Sequence, residues 1–75
     1  MDEITVRSDV PGIVSKIDKQ AGDPVNLDEA IMYVESMKME FPVAAPANGR
    51  LLALSVATGD QVARGQALAT LFRET

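Results

Sequence analysis

The sequence predicts an all-β fold, a small sandwich or flattened barrel with approximate two-fold symmetry. Three observations predict it. The 75-residue chain repeats itself when slid along its own length until Gly12 falls on Gly49, and the two halves then align without a gap. Each half alternates β-branched or apolar residues with polar ones on both sides of a Gly-Asp turn signal. The hydrophobic content of 47% with only 4% aromatics means that Val, Ile, Leu and Ala must fill the core, a composition that favours strands.

Taken in order, the first half reads as a strand over Gly12 to Asp18, the turn Ala21-Gly22-Asp23-Pro24, and a strand over Ala30 to Glu35. The second half follows it, with strands over Gly49 to Val56 and Ala67 to Phe72 around the turn Thr58-Gly59-Asp60. Gly22 and Gly59 suit positions of positive φ, and the Asp after each can bond nearby backbone amides. Val25-Asn26-Leu27 and Gln61-Val62-Ala63 add brief strands before the polar turns at Asp28-Glu29 and Arg64-Gly65-Gln66. The Ala- and Leu-rich stretch from Gln66 to Leu71 has helical propensity. Its counterpart from Glu29 to Val34 carries Ile31, Tyr33 and Val34, better strand formers, so both are read as strands. Pro42, Pro46 and the alanines from Ala44 to Ala47 mark the crossover between halves. Neither β unit can bury its apolar face alone, so the two pack together.

Length and charge narrow the rest. Seventy-five residues hold one domain, read here as 1-75, and a core this small without Cys or His must rely on regular packing. A net charge of -4 disfavours nucleic acid and anionic lipid as partners. No apolar run reaches the ~20 residues of a membrane span, and Asp2 and Glu3 have the wrong sign for a signal-peptide start, so a soluble cytoplasmic protein is expected. Without His or Cys, and with no nucleophile accompanied by a base and an orienting group, no catalytic residue and no metal ligand set is expected.

The segment that carries chemistry lies between the two units, in Glu35-Ser36-Met37-Lys38-Met39-Glu40. As a hairpin tip it places two methionines where Asn, Gly or Asp would be usual. Such departures from local rules belong mainly to functional sites, and what they surround here is a single lysine. The plainer alternative makes Met37 and Met39 core residues of one strand face with Lys38 pointing outward between them. Position weighs against it, because the triplet sits at the junction of the repeats, where the far-end equivalent of Lys38 is Thr75, the last residue.

These residues resemble the biotinyl domains of biotin carboxyl carrier proteins, within the wider biotinyl/lipoyl family, over essentially the whole chain. The resemblance is carried by the Met-Lys-Met centre at Met37, Lys38 and Met39, by the duplicated Gly22-Asp23 and Gly59-Asp60 turns, and by the Pro-x-x-Gly approach at Pro46-Ala47-Asn48-Gly49. Ser36 stands where the family often has Ala, another small residue. The protruding segment of some bacterial acetyl-CoA carboxylase carriers has no counterpart. No Pro or Ala tether is seen, so the chain reads as a free-standing carrier or an excised one.

The resemblance implies two four-stranded antiparallel sheets with Lys38 at an exposed β-turn, covalently biotinylated by a biotin protein ligase. A lysine amine is largely protonated at neutral pH, so the ligase must supply the group that takes the proton; Lys38 needs access more than activation. It further implies a non-catalytic subunit that moves carboxyl groups between a biotin carboxylase site and a carboxyltransferase site, with Met37 and Met39 as an adaptable apolar recognition surface. Two other readings share the fold: a lipoyl carrier, whose turn is typically Asp-Lys-Ala, and an unmodified interaction module.

Overall fold

A computed structural model describes residues 2–74, and it converts the repeated pattern into eight strands. They are β1 (Glu3–Arg7), β2 (Gly12–Ile17), β3 (Pro24–Val25), β4 (Ala30–Ser36), β5 (Met39–Ala44), β6 (Gly49–Leu54), β7 (Gln61–Val62) and β8 (Ala67–Arg73). All pairings are antiparallel. The strands form two four-stranded sheets, ordered β1-β8-β6-β3 and β5-β4-β2-β7. Advancing each strand of the second sheet by one repeat, or setting it back by one, generates the first, so the expected two-fold relation holds strand by strand. It holds in the irregularities too. The register slips at Ser15 in β2 and at its equivalent Leu52 in β6, and again at Ile31 in β4 and its equivalent Leu68 in β8. Paired bulges of this kind bend both sheets alike and let each close over the other.

Two strands were not foreseen. β1 precedes the point where the self-alignment begins, and β5 runs through Pro42, which the sequence reading placed in the crossover. They are repeat equivalents of one another, Ile4 matching Phe41 and Val6 matching Val43. A proline fits β5 because this is an edge strand, where the missing N–H costs no ladder bond. The crossover therefore begins after Ala44. Strand ends elsewhere differ from expectation by one or two residues, and Thr75 lies outside the described residues.

The Gly-Asp turns match the reading closely. Gly22 and Gly59 have φ of 96° and 95°. Asp23 Oδ2 accepts from the Gln20 amide at 2.8 Å and Asp60 Oδ2 from the Ala57 amide at 2.9 Å, each closing its turn with one side-chain bond. A different pair of glycines governs packing. A Cβ on Gly12 would collide with the Glu35 carbonyl oxygen and stand 2.9 Å from Val34 Cγ1, and one on Gly49 would collide with the Phe72 carbonyl oxygen. Here the backbones approach too closely for any side chain.

The core is built from the inward residues that alternation supplies, Val14, Met32, Val34, Leu51 and Leu71, together with Ile31 and Leu68 at the register slips; all seven are fully buried. Six of these are the matched pairs Val14 with Leu51, Ile31 with Leu68 and Val34 with Leu71. Beside the core, Lys19 Nζ and Glu29 Oε2 form an ion pair at 2.8 Å, its side chains about a quarter and a third exposed. The hydrogen bond to Glu29 holds the Lys19 pKa above its usual value, and the same bond, helped by the Asn26 amide, holds Glu29 below the carboxylate range. The signs set the pH window. The Glu29 contribution is present above the unfolded carboxylate pKa and fades as acid protonates the folded group, while the Lys19 contribution is present below the unfolded lysine value and fades at alkaline pH. Lys19→Met is therefore expected to be less stable than the parent at neutral pH, with the gap in unfolding midpoint narrowing toward both extremes; thermal melts across pH measure it.

Candidate functional site

The chain reverses between β4 and β5 through two residues only, Met37 and Lys38, with Ser36 paired to Met39 across the hairpin. Both central residues are left-handed, at φ of 53° and 65°. A two-residue hairpin loop of type I′, one of the two that follow strand twist, needs positive φ at both positions, which is why Asn-Gly is its usual choice. Met and Lys accept the conformation at a cost of about 1–3 kcal/mol each, a cost a purely structural turn would have no reason to carry. The expected tip is therefore real. Met37 is 93% exposed and Met39 62%. Neither belongs to the core, so the plainer reading of the triplet fails.

Lys38 Nζ is free of ion pairs and side-chain hydrogen bonds among the described residues. The other two lysines of the chain are engaged: Lys16 lies 3.6 Å from Asp18 and 5.2 Å from the centre of the Tyr33 ring, and Lys19 is held by Glu29. Below the turn, the outer face of the sheet presents a row the sequence reading passed over. Glu35 sits opposite Glu40 on β5 and opposite the half-exposed Ile13 on β2. Like charges directly across a ladder repel. The Ser15 hydroxyl, freed from the regular register by its bulge, relieves this by donating to Glu40 Oε2 at 3.0 Å. The period-two alternation that put Ile13, Glu35 and Glu40 outward was available in the sequence, but the lateral register was not.

A cavity of about 270 Å³ opens between the β1–β2 loop and β5, lined by Arg7 to Val10, Val34 and Phe41 to Ala44. It includes none of the turn residues. Chemically, the site is a single primary amine displayed on a rigid hairpin between two thioether side chains. It fits a group attached covalently through Nζ, since nothing within the described structure competes for that nitrogen. Among the described residues no cluster of His, Cys, Asp or Glu is suited to a metal, and no helix is long and apolar enough to cross a membrane.

Comparison with known proteins agrees with this geometry. A family model described as biotin-requiring enzyme matches residues 5–71. The biotinylated protein TB7.3 homolog of Mycobacterium leprae is 32% identical over 88% of this chain and 93% of its own length. The dihydrolipoyllysine-residue acetyltransferase component of the pyruvate dehydrogenase complex of Mycoplasma genitalium is 38% identical over 85% of this chain, which spans only 17% of that protein. Among solved structures, the urea carboxylase of Kluyveromyces lactis superposes with a TM-score of 0.89 at 27% identity, covering 95% of this chain and 6% of that one. With the duplicated sheets, the paired Gly-Asp turns and the displayed lysine on the hairpin, these matches place the chain in the biotin/lipoyl attachment family.

Proposed function

We propose that the chain, as a single biotinyl domain over 1-75, is a biotin carboxyl carrier whose Lys38 is the attachment site. The observation that carries this reading is the left-handed Met37-Lys38 turn, which holds one unengaged amine at the tip of a rigid hairpin. Covalently held biotin supplies a ureido nitrogen able to take up and give back a carboxyl group. The residues of this chain supply everything else: Lys38 the amide nitrogen and a flexible stem, the β4–β5 hairpin a fixed base for it, and Met37 and Met39 an apolar contact for a biotin protein ligase. No side chain here catalyses carboxyl transfer. The partners on this reading are the ligase, a biotin carboxylase and a carboxyltransferase, in the cytoplasm, and tethering makes each visit between the latter two sites intramolecular.

The lipoyl reading is supported by the 38% identity to the acetyltransferase component. Against it stand Met37 and Met39, where lipoyl domains typically carry Asp and Ala. Intact mass after expression with a biotin ligase, and separately with a lipoyl ligase, distinguishes the two and also detects an unmodified module.

The methionines provide a second test. Replacing both with Ala is expected to shift the unfolding midpoint little, because Met→Ala costs ~2–5 kcal/mol only where the side chain is buried. The initial rate of biotinylation should fall severalfold in the same preparation. Lost stability with an unchanged rate would remove both residues from the recognition surface.

A further inference from the structure

Four strands lie at sheet edges, and three of them are blunted. β3 and β7 are two residues long, and β5 carries Pro42 at its centre. Short edges and edge prolines are the usual devices against pairing with another chain. β1 has neither. It runs for five residues, and at the position equivalent to Pro42 it carries Thr5.

The pairing pattern fixes which backbone groups are free. The Arg73 amide donates to the Asp2 carbonyl at 2.8 Å, and bonded positions in an antiparallel ladder alternate, so Asp2, Ile4 and Val6 face β8. Glu3, Thr5 and Arg7 turn their N–H and C=O groups away from it. Among the described residues no loop or side chain is hydrogen-bonded to these outward backbone groups. The side chains of the same three residues are exposed, while Val6 is buried and Ile4 partly so.

We propose that this free edge pairs with the β1 edge of a second copy, antiparallel and centred on Thr5. The sequence Glu3-Ile4-Thr5-Val6-Arg7 is self-complementary in that register and in no other. Thr5 meets Thr5 of the second copy, and Glu3 meets Arg7 at both ends, so each outward pair is either Thr-Thr or of opposite charge, both favourable across strands. Three bonded positions give six new backbone hydrogen bonds. A parallel arrangement would set Glu3 beside Glu3 and Arg7 beside Arg7, and a shift by two residues would leave an Arg and a Glu without partners. The result is an isologous dimer with a continuous eight-stranded sheet. The contact is small, so association is reversible and favoured by high local concentration. The Lys38 turn joins strands of the other sheet, so both copies keep their lysines available.

Sedimentation equilibrium from micromolar to millimolar concentration tests the proposal on the whole chain. The parent is expected to show a reversible monomer–dimer equilibrium, and Thr5→Pro to remain monomeric; the fold already accommodates proline at the equivalent place in β5. Glu3→Arg should raise the dissociation constant about tenfold. Glu3→Arg combined with Arg7→Glu should restore it, because the swapped pair is again complementary. As a geometric check independent of affinity, Thr5→Cys in this Cys-free chain should oxidise to a covalent dimer, and Glu3→Cys should not, since only position 5 meets itself. A parent that stays monomeric throughout, a Thr5→Pro variant that dimerises like the parent, or a charge swap that fails to rescue would each overturn the pairing.

Discussion

Lys38→Arg is expected to abolish biotinylation completely while leaving the fold unchanged. Guanidinium keeps the positive charge and the hydrogen-bonding stem but is not an amine that can form the amide. Arg also occupies the left-handed position at φ 65° at the same cost as Lys, so the hairpin does not gain or lose strain. Intact mass and a streptavidin blot after co-expression with ligase measure the loss, and circular dichroism checks the fold. The competing outcome is specific. A persisting signal would have to come from Lys16 or Lys19, both tied into ion pairs. It would mean that the ligase breaks one of those contacts rather than reading the turn.

The largest effect on stability is expected from Gly12→Ala or Gly49→Ala. In each case the new methyl group meets a carbonyl oxygen of the adjacent strand, at Glu35 or Phe72, and neither oxygen can retreat without disturbing its own ladder. Overpacking typically costs ~1–3 kcal/mol, and a rigid backbone neighbour puts these sites at or above the upper end. For a domain whose total stability is roughly 4–11 kcal/mol by the per-residue norm, such a loss is a large fraction. A drop in unfolding midpoint of about 12 °C or more is expected for either variant. The Gly-Asp turns behave differently. A Cβ on Gly22 or Gly59 has open space around it, so Val there is opposed by the left-handed backbone alone, at ~1–3 kcal/mol. Chemical denaturation of all four variants ranks the two mechanisms, and equal losses at Gly12 and Gly22 would show that steric contact is not what Gly12 avoids.

The parts of the fold legible in the sequence are those where identical or chemically equivalent residues recur at the repeat spacing. Gly22-Asp23 with Gly59-Asp60, Val25 with Val62, and Ile31 with Leu68 place both Gly-Asp turns and six of the strands. β1 and β5 were hidden because their likeness is short and interrupted: Val6 recurs as Val43 and Ile4 matches Phe41 in apolar character, but Thr5 against Pro42 breaks the resemblance at the centre. Proline reads as a break wherever the strand's place in the sheet is unknown, and edge position is a property of topology. The same limit applied to the glycines. Gly12 and Gly49 looked like alignment anchors, and only the lateral approach of β4 and β8 explains why no side chain fits there. At the site, the turn was legible because Met37 and Met39 violate a local rule. Ile13 beside Glu35 was not, since that pairing depends on the register set by the bulge at Ser15, and Glu35 opposite Glu40 follows only once the turn is known to be the two residues Met37 and Lys38.

The strand-by-strand two-fold correspondence makes the molecule a comparison set for itself. Within the matched strands and Gly-Asp turns, a position in one half is paired with a residue that already works in the corresponding setting in the other. Asp28 stands at φ 71° where the other half has Gly65 at 84°. Glu29 accepts from the Asn26 amide as Gln66 accepts from Ala63, both at 2.9 Å, so the carboxylate charge is dispensable to that turn and is used by Lys19 instead. Exchanging residues between halves thus distinguishes what the architecture demands from what a single location adds. The hairpin bearing Lys38 is the segment where the first half departs furthest from anything its twin could lend it.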